Sequence, residues 1–164
     1  MHILTQKGWM YMDHVDNATV QRVWQRVKSP QMPLQTPHAR PNELADRILE
    51  EWQTGQRYLA LQAMPEFKAN PELKRLWEQK QSQLACLKGI YRLSVNASCK
   101  IPAVMPKTEP GPVLLRKCYG SLLRCCGFYS AATADREFGD AYRQLAEQNR
   151  QQAYGILMLL GGLK

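Results

Sequence analysis

Five polar residues stand where core-facing positions of long helices are expected: Glu51, Lys80, Gln83, Asn149 and Gln152. Lys80 and Gln83 are three residues apart, as are Asn149 and Gln152, so each pair shares one helix face. When such inward-facing pairs are carboxylate and imidazole, they hold divalent metal ions inside helical bundles. Here an ammonium and three amides occupy the positions, which is hydrogen-bonding chemistry rather than ligation. A second candidate chemistry is thiol-based, at the adjacent Cys125 and Cys126. A reactive thiol needs a lowered pKa from a nearby cation, and Arg124 and Lys117 lie within a turn or two. A third is anion binding through Lys100, Lys107, Arg116, Lys117 and Arg124, which would gather around one connection.

The elements that must position these groups are read from period and punctuation. Residues 16–27 carry Val20, Val23, Trp24 and Val27 at helical spacing and predict a short N-terminal helix. Pro30, Pro33, Pro37 and Pro41 then predict an extended linker over residues 29–41. Four long helices follow. The first starts near Asn42, read as its cap, carries Leu44, Ile48, Glu51, Gly55, Tyr58 and Leu59, and ends before Pro65. The second opens on Asn70-Pro71-Glu72, a strong start signal, and runs to about Val95. The third covers residues 112–132 and the fourth residues 138–160, stopped by Gly161 and Gly162. Short loops join the first helix to the second and the third to the fourth, which makes each pair an antiparallel hairpin. The long proline-bearing connection over residues 96–111 can run the length of the molecule. The expected fold class is all-α: two antiparallel helical hairpins joined by a long crossover, with residues 1–41 as an N-terminal arm and 42–164 as the bundle.

The stripes show why the polar residues belong together. The second helix reads Leu73, Leu76, Lys80, Gln83, Leu87, Ile90, and the fourth reads Phe138, Tyr142, Leu145, Asn149, Gln152, Ile156, Leu159. The third reads Leu115, Tyr119, Leu122, Cys126, Tyr129, with tyrosine hydroxyls as its polar groups. A buried polar group without a partner costs about 1–3 kcal/mol, and a charge more. The five groups are therefore expected to converge in one layer, with Lys80 paired to Glu51. The alternative is that Lys80 snorkels to solvent on its long stem.

Composition narrows the function classes. The chain has 164 residues, 45% apolar and 22% charged, and a formal net charge of +8. The basic residues are interleaved with Gln, Glu and Leu rather than clustered, which argues against nucleic-acid binding. Five cysteines, an odd number without a C-x-x-C pair, do not make a disulfide framework and read as reduced thiols in a cytoplasmic protein. Residues 2–10 lack the sustained apolar run of a signal peptide, and residues 156–163 are too few to span a bilayer. His2, His14 and His38 all precede the bundle, so no imidazole is expected within it.

From Asn42 onward the chain resembles a rubrerythrin-type domain of the ferritin-like superfamily. Glu51 seven residues before Tyr58 is similar to that family's first-helix pattern. On the third helix Tyr129 is in place but the Glu position holds Leu122. The Glu-x-x-His positions of the second and fourth helices fall on Lys80 and Gln83, and on Asn149 and Gln152. The segment "LKGIYRLS" resembles the end of the second helix in bacterial members, and "RVWQRV" before a proline-rich linker resembles a segment that precedes the bundle in some. The resemblance implies a ferritin-like four-helix bundle, commonly a homodimer, with a di-iron centre at those six positions. Only Glu51 retains a ligand type. The expectation is a non-catalytic bundle with no cofactor and no metal, acting on an unknown protein partner or on itself. The competing expectation is a metal-dependent oxidoreductase of this class, using iron or manganese at an atypical site.

Overall fold

The computed structural model describes residues 39–102 and 107–163. Four long helices make up most of them: α1 (Pro41–Gln62), α2 (Pro71–Val95), α3 (Gly111–Ala131) and α4 (Gly139–Gly161). No strand occurs among the described residues. The expected N-terminal helix and linker, and with them most of the 1–41 arm, lie outside the described residues.

The helix ends follow local chemistry. At α2 the Asn70 side chain accepts from the backbone N–H of Glu72 (2.9 Å) and Leu73 (3.3 Å), with Pro71 beginning the helix. Two otherwise unpaired amide groups are thereby satisfied. The helix closes on Asn96, left-handed at φ 53°, whose N–H returns to the Arg92 carbonyl at 2.9 Å. The start of α1 differs from the expectation. Arg40, not Asn42, occupies the cap position, it makes no side-chain cap bond, and Pro41 opens the helix. A proline with preset φ starts the helix two residues earlier than a cap at Asn42 would have. Ahead of α4, the Asp135 carboxylate accepts from Glu137 N (2.8 Å) and Phe138 N (2.9 Å) and organises the turn. Gly139 is forced there, because a Cβ would lie 2.5 Å from the Thr133 carbonyl oxygen.

The apolar core forms two clusters. One holds Tyr58, Leu61, Leu73, Leu76, Leu114, Leu115, Ala153 and Ile156. The other holds Leu44, Ile48, Leu87, Ile90, Tyr129, Tyr142 and Leu145. The first therefore joins the C-terminal halves of α1 and α4 to the N-terminal halves of α2 and α3, and the second joins the reverse set. Within each hairpin the helices are antiparallel, while α2 and α3 point the same way. The end of α2 and the start of α3 accordingly lie at opposite ends of the helices.

One stripe is rotated relative to the sequence reading. On α3 the buried side chains are Leu114, Leu115, Cys118, Ser121, Leu122, Cys125 and Tyr129. Tyr119 and Cys126, expected inside, are only partly buried, and Leu59 of α1 is exposed. On α3 small residues beside the larger ones let either of two adjacent stripes face inward. Packing of Cys118 and Cys125 against α1 selects one.

Candidate functional site

Between the two apolar clusters lies a polar layer. Glu51 of α1, Lys80 and Gln83 of α2, and Asn149 and Gln152 of α4 are all buried, with Lys80 at 0% and Glu51 at 1% exposure. Each stands at the point where its helix passes from one cluster to the other. Lys80 does not snorkel.

The layer is a closed hydrogen-bond network. Lys80 Nζ donates to Glu51 Oε2 in an ion pair and to Asn149 Oδ1 at 3.0 Å. Asn149 Nδ2 donates to Glu51 Oε1 at 2.8 Å. The Tyr129 hydroxyl of α3 donates to the same oxygen at 2.8 Å. Both carboxylate oxygens of Glu51 and the amide oxygen of Asn149 are thus engaged. A second chain of bonds lies alongside. Gln152 Nε2 donates to Gln83 Oε1 (3.2 Å), Gln83 Nε2 donates to Gln148 Oε1 (3.2 Å), and the Tyr58 hydroxyl donates to Gln152 Oε1 at 3.4 Å. Among the described residues, the buried side-chain polar atom without a partner is the indole nitrogen of Trp77, which packs outside this layer.

All five polar residues singled out by spacing are therefore brought together. Leu122, at the sixth position of the resemblance, is buried among apolar neighbours. Three participants went unforeseen as bonding partners. Tyr129 and Tyr58 lie on the stripes, but an aromatic on an apolar face carries no signal of where its hydroxyl reaches. Gln148 lies beside the stripe, and only the rotation of α4 turns its amide toward Gln83.

Burial keeps the tyrosine hydroxyls of the layer neutral. Burial, with the Glu51 carboxylate adding to it, pushes the Tyr129 hydroxyl well above its ordinary value, and burial does the same at Tyr58. Each tyrosine is a fixed donor at neutral pH. The carboxylate and the ammonium meet within hydrogen-bond reach, so the buried layer carries no net charge from this pair.

A divalent metal ion fits this donor set poorly. An ammonium offers no lone pair and repels a cation, and the one carboxylate is already saturated by three donors. Among the described residues, no group of three or more His, Cys, Asp or Glu stands close enough to hold a metal ion.

The thiol candidates separate in space. Cys125 is buried, whereas Cys126 is partly exposed and donates to the Ala146 carbonyl across the α3–α4 interface at 3.5 Å. Burial pushes the Cys125 thiol far above its ordinary value and the Cys118 thiol up to about 12, with Arg57 and Lys80 opposing the latter shift. The cations that were to activate Cys125 do not. Arg124 is turned to Glu50, with its Nε donating to Glu50 Oε1 at 2.8 Å, and Lys117 to Glu109 at 2.5 Å.

The proposed basic patch is reproduced in part. Arg116, Lys117 and Arg124 line one surface groove together with Arg57 of α1, while Lys100 and Lys107 do not reach it. No helix among the described residues is long and apolar enough to cross a membrane.

No family model, curated protein or solved structure matches this chain.

Proposed function

We propose that the chain is a ferritin-like four-helix bundle of the rubrerythrin type. In this reading a buried ion pair has replaced the di-metal centre, and the bundle works by association rather than by redox chemistry. The observation that carries the reading is the closed network of Glu51, Lys80, Asn149 and Tyr129. In the ferritin-like arrangement, metal ligands project from mid-helix positions of all four helices into one layer. The polar layer occupies the equivalent place, with the Lys80 ammonium standing where a cation would stand. The two antiparallel hairpins and the parallel α2–α3 relation support the same arrangement. The Glu51–Tyr58 spacing adds sequence support.

The association half of the reading is supported by α4. Tyr154 is 67% exposed and Met158 62% exposed, one turn apart on its outward face, with Leu157 beside them. These side chains could meet their copies across a two-fold axis, where a single self-complementary strip suffices for a dimer. The partner committed to is a second copy of this chain.

Metal analysis of the purified protein tests the central claim. Iron, manganese and zinc are each expected well below one ion per chain after passage over a chelating resin. Stoichiometric iron, manganese or zinc would sink this reading, and iron or manganese would favour the metal-dependent oxidoreductase in its place.

A further inference from the structure

A groove between α1 and α3 has no part in the interior network. Its volume is about 500 Å³, and Arg57, Arg116, Lys117, Gly120, Ser121 and Arg124 form its walls. Four cations line it and no carboxylate does. Two of them find carboxylates at its edge: Lys117 pairs with Glu109 and Arg124 with Glu50. Arg57 and Arg116 have no carboxylate partner among the described residues.

We propose that this groove binds a small ligand through two or more phosphate groups. The convergence of guanidinium groups is the first argument. Arg57 Nη1 and Arg124 Nη2 each donate to Ser121 Oγ at 3.1 Å, so two like charges crowd onto one neutral oxygen. Glu50 offsets the Arg124 charge, whereas the Arg57 guanidinium beside it has no carboxylate among the described residues, so an anion seated here would gain charge-assisted hydrogen bonds from it. Arginine forks match phosphate oxygens in pairs.

Size is the second argument. Arg116 and Arg124 are separated by eight residues of α3, or about 12 Å of helix rise, more than one phosphate spans. The volume falls within the range of small-molecule sites, near its lower half. Gly120 keeps the floor low, since a Cβ there would lie 3.3 Å from Arg124 Nη1. Val113 is the one apolar side chain of the lining and no aromatic faces the groove. No aromatic ring is present for a base to stack on, so recognition rests mainly on the phosphates.

The test is isothermal titration calorimetry of the full chain with inorganic tripolyphosphate at low ionic strength. Sulfate at matched ionic strength serves as the control anion. Saturable one-to-one binding is expected, tighter than for sulfate and weakening as salt rises. Arg57→Gln and Arg116→Gln are each expected to weaken it about tenfold or more, the usual worth of one charge-assisted bond. Lys74→Gln, an exposed change on α2, should leave it unaltered. ATP separates the two sources of such a ligand: affinity equal to that of tripolyphosphate upholds recognition through the phosphates alone, and markedly tighter binding, which needs a base contact, overturns the proposal. It is overturned by absence of saturable tripolyphosphate binding at low salt, or by equal loss in the Lys74 control. Binding of a single-stranded oligonucleotide where tripolyphosphate fails would also overturn it.

Discussion

At the scale of residues, the polar layer is governed by mutual satisfaction. Glu51 accepts from Lys80, Asn149 and Tyr129, and Lys80 is fully enclosed. Lys80→Met is expected to destabilise the fold by about 3–5 kcal/mol, because it strands a buried carboxylate. Adding Glu51→Gln to Lys80→Met should recover a large part of that loss, since an amide at 51 still accepts from Tyr129 and Asn149 without charge. Urea denaturation of the three proteins measures both effects. A double variant less stable than Lys80→Met would show that the pair is not coupled. The buried thiol sets an alkaline limit. Cys118 is raised from 9.0 to about 12 by burial, so the folded state retains a proton that the unfolded state loses first. Its contribution is complete below about pH 9 and is lost as pH rises toward 12. Melting temperatures across that window should fall, and should fall less steeply in Cys118→Ala, once the tyrosine contribution common to both proteins is subtracted.

At the scale of elements, α2 is the best specified helix. Its cap, its opening proline and its stripe were all legible, because each rests on contacts within a few residues. Asn70→Ala removes the acceptor for two backbone amides and is expected to cost about 1 kcal/mol of stability. A chemical denaturation midpoint unchanged by that substitution would assign the helix start to Pro71 alone. On α3 the stripe was misplaced by one position at Cys118 and Cys125. That helix is apolar on most of its circumference, so its period does not select a face, and the neighbouring helices do.

At the scale of the whole molecule, the two apolar clusters flank the polar layer and fix the relative direction of all four helices. If α4 carries the self-association surface, Tyr154→Glu combined with Met158→Glu introduces like charges on both sides of a two-fold contact. Sedimentation equilibrium is expected to report a dimer for the parent chain and a monomer for this variant, with unchanged helical circular dichroism. A parent chain that is monomeric at high micromolar concentration would remove the second copy as partner.

The sequence by itself determined the number of long helices, their order, the long α2–α3 connection and the five polar positions that interrupt the stripes. These follow from helical period and from proline, glycine and asparagine signals, which act locally. Only the tertiary structure decided that Lys80 turns inward to Glu51, that Tyr129 completes the carboxylate's shell, and that Gln148 joins the amide chain. It also decided that Arg57 meets Arg116, Lys117 and Arg124 in one groove while Lys100 and Lys107 stay apart. The reason is that side-chain partners across helices depend on how each helix is rotated about its axis. That rotation is set by the packing of all four at once.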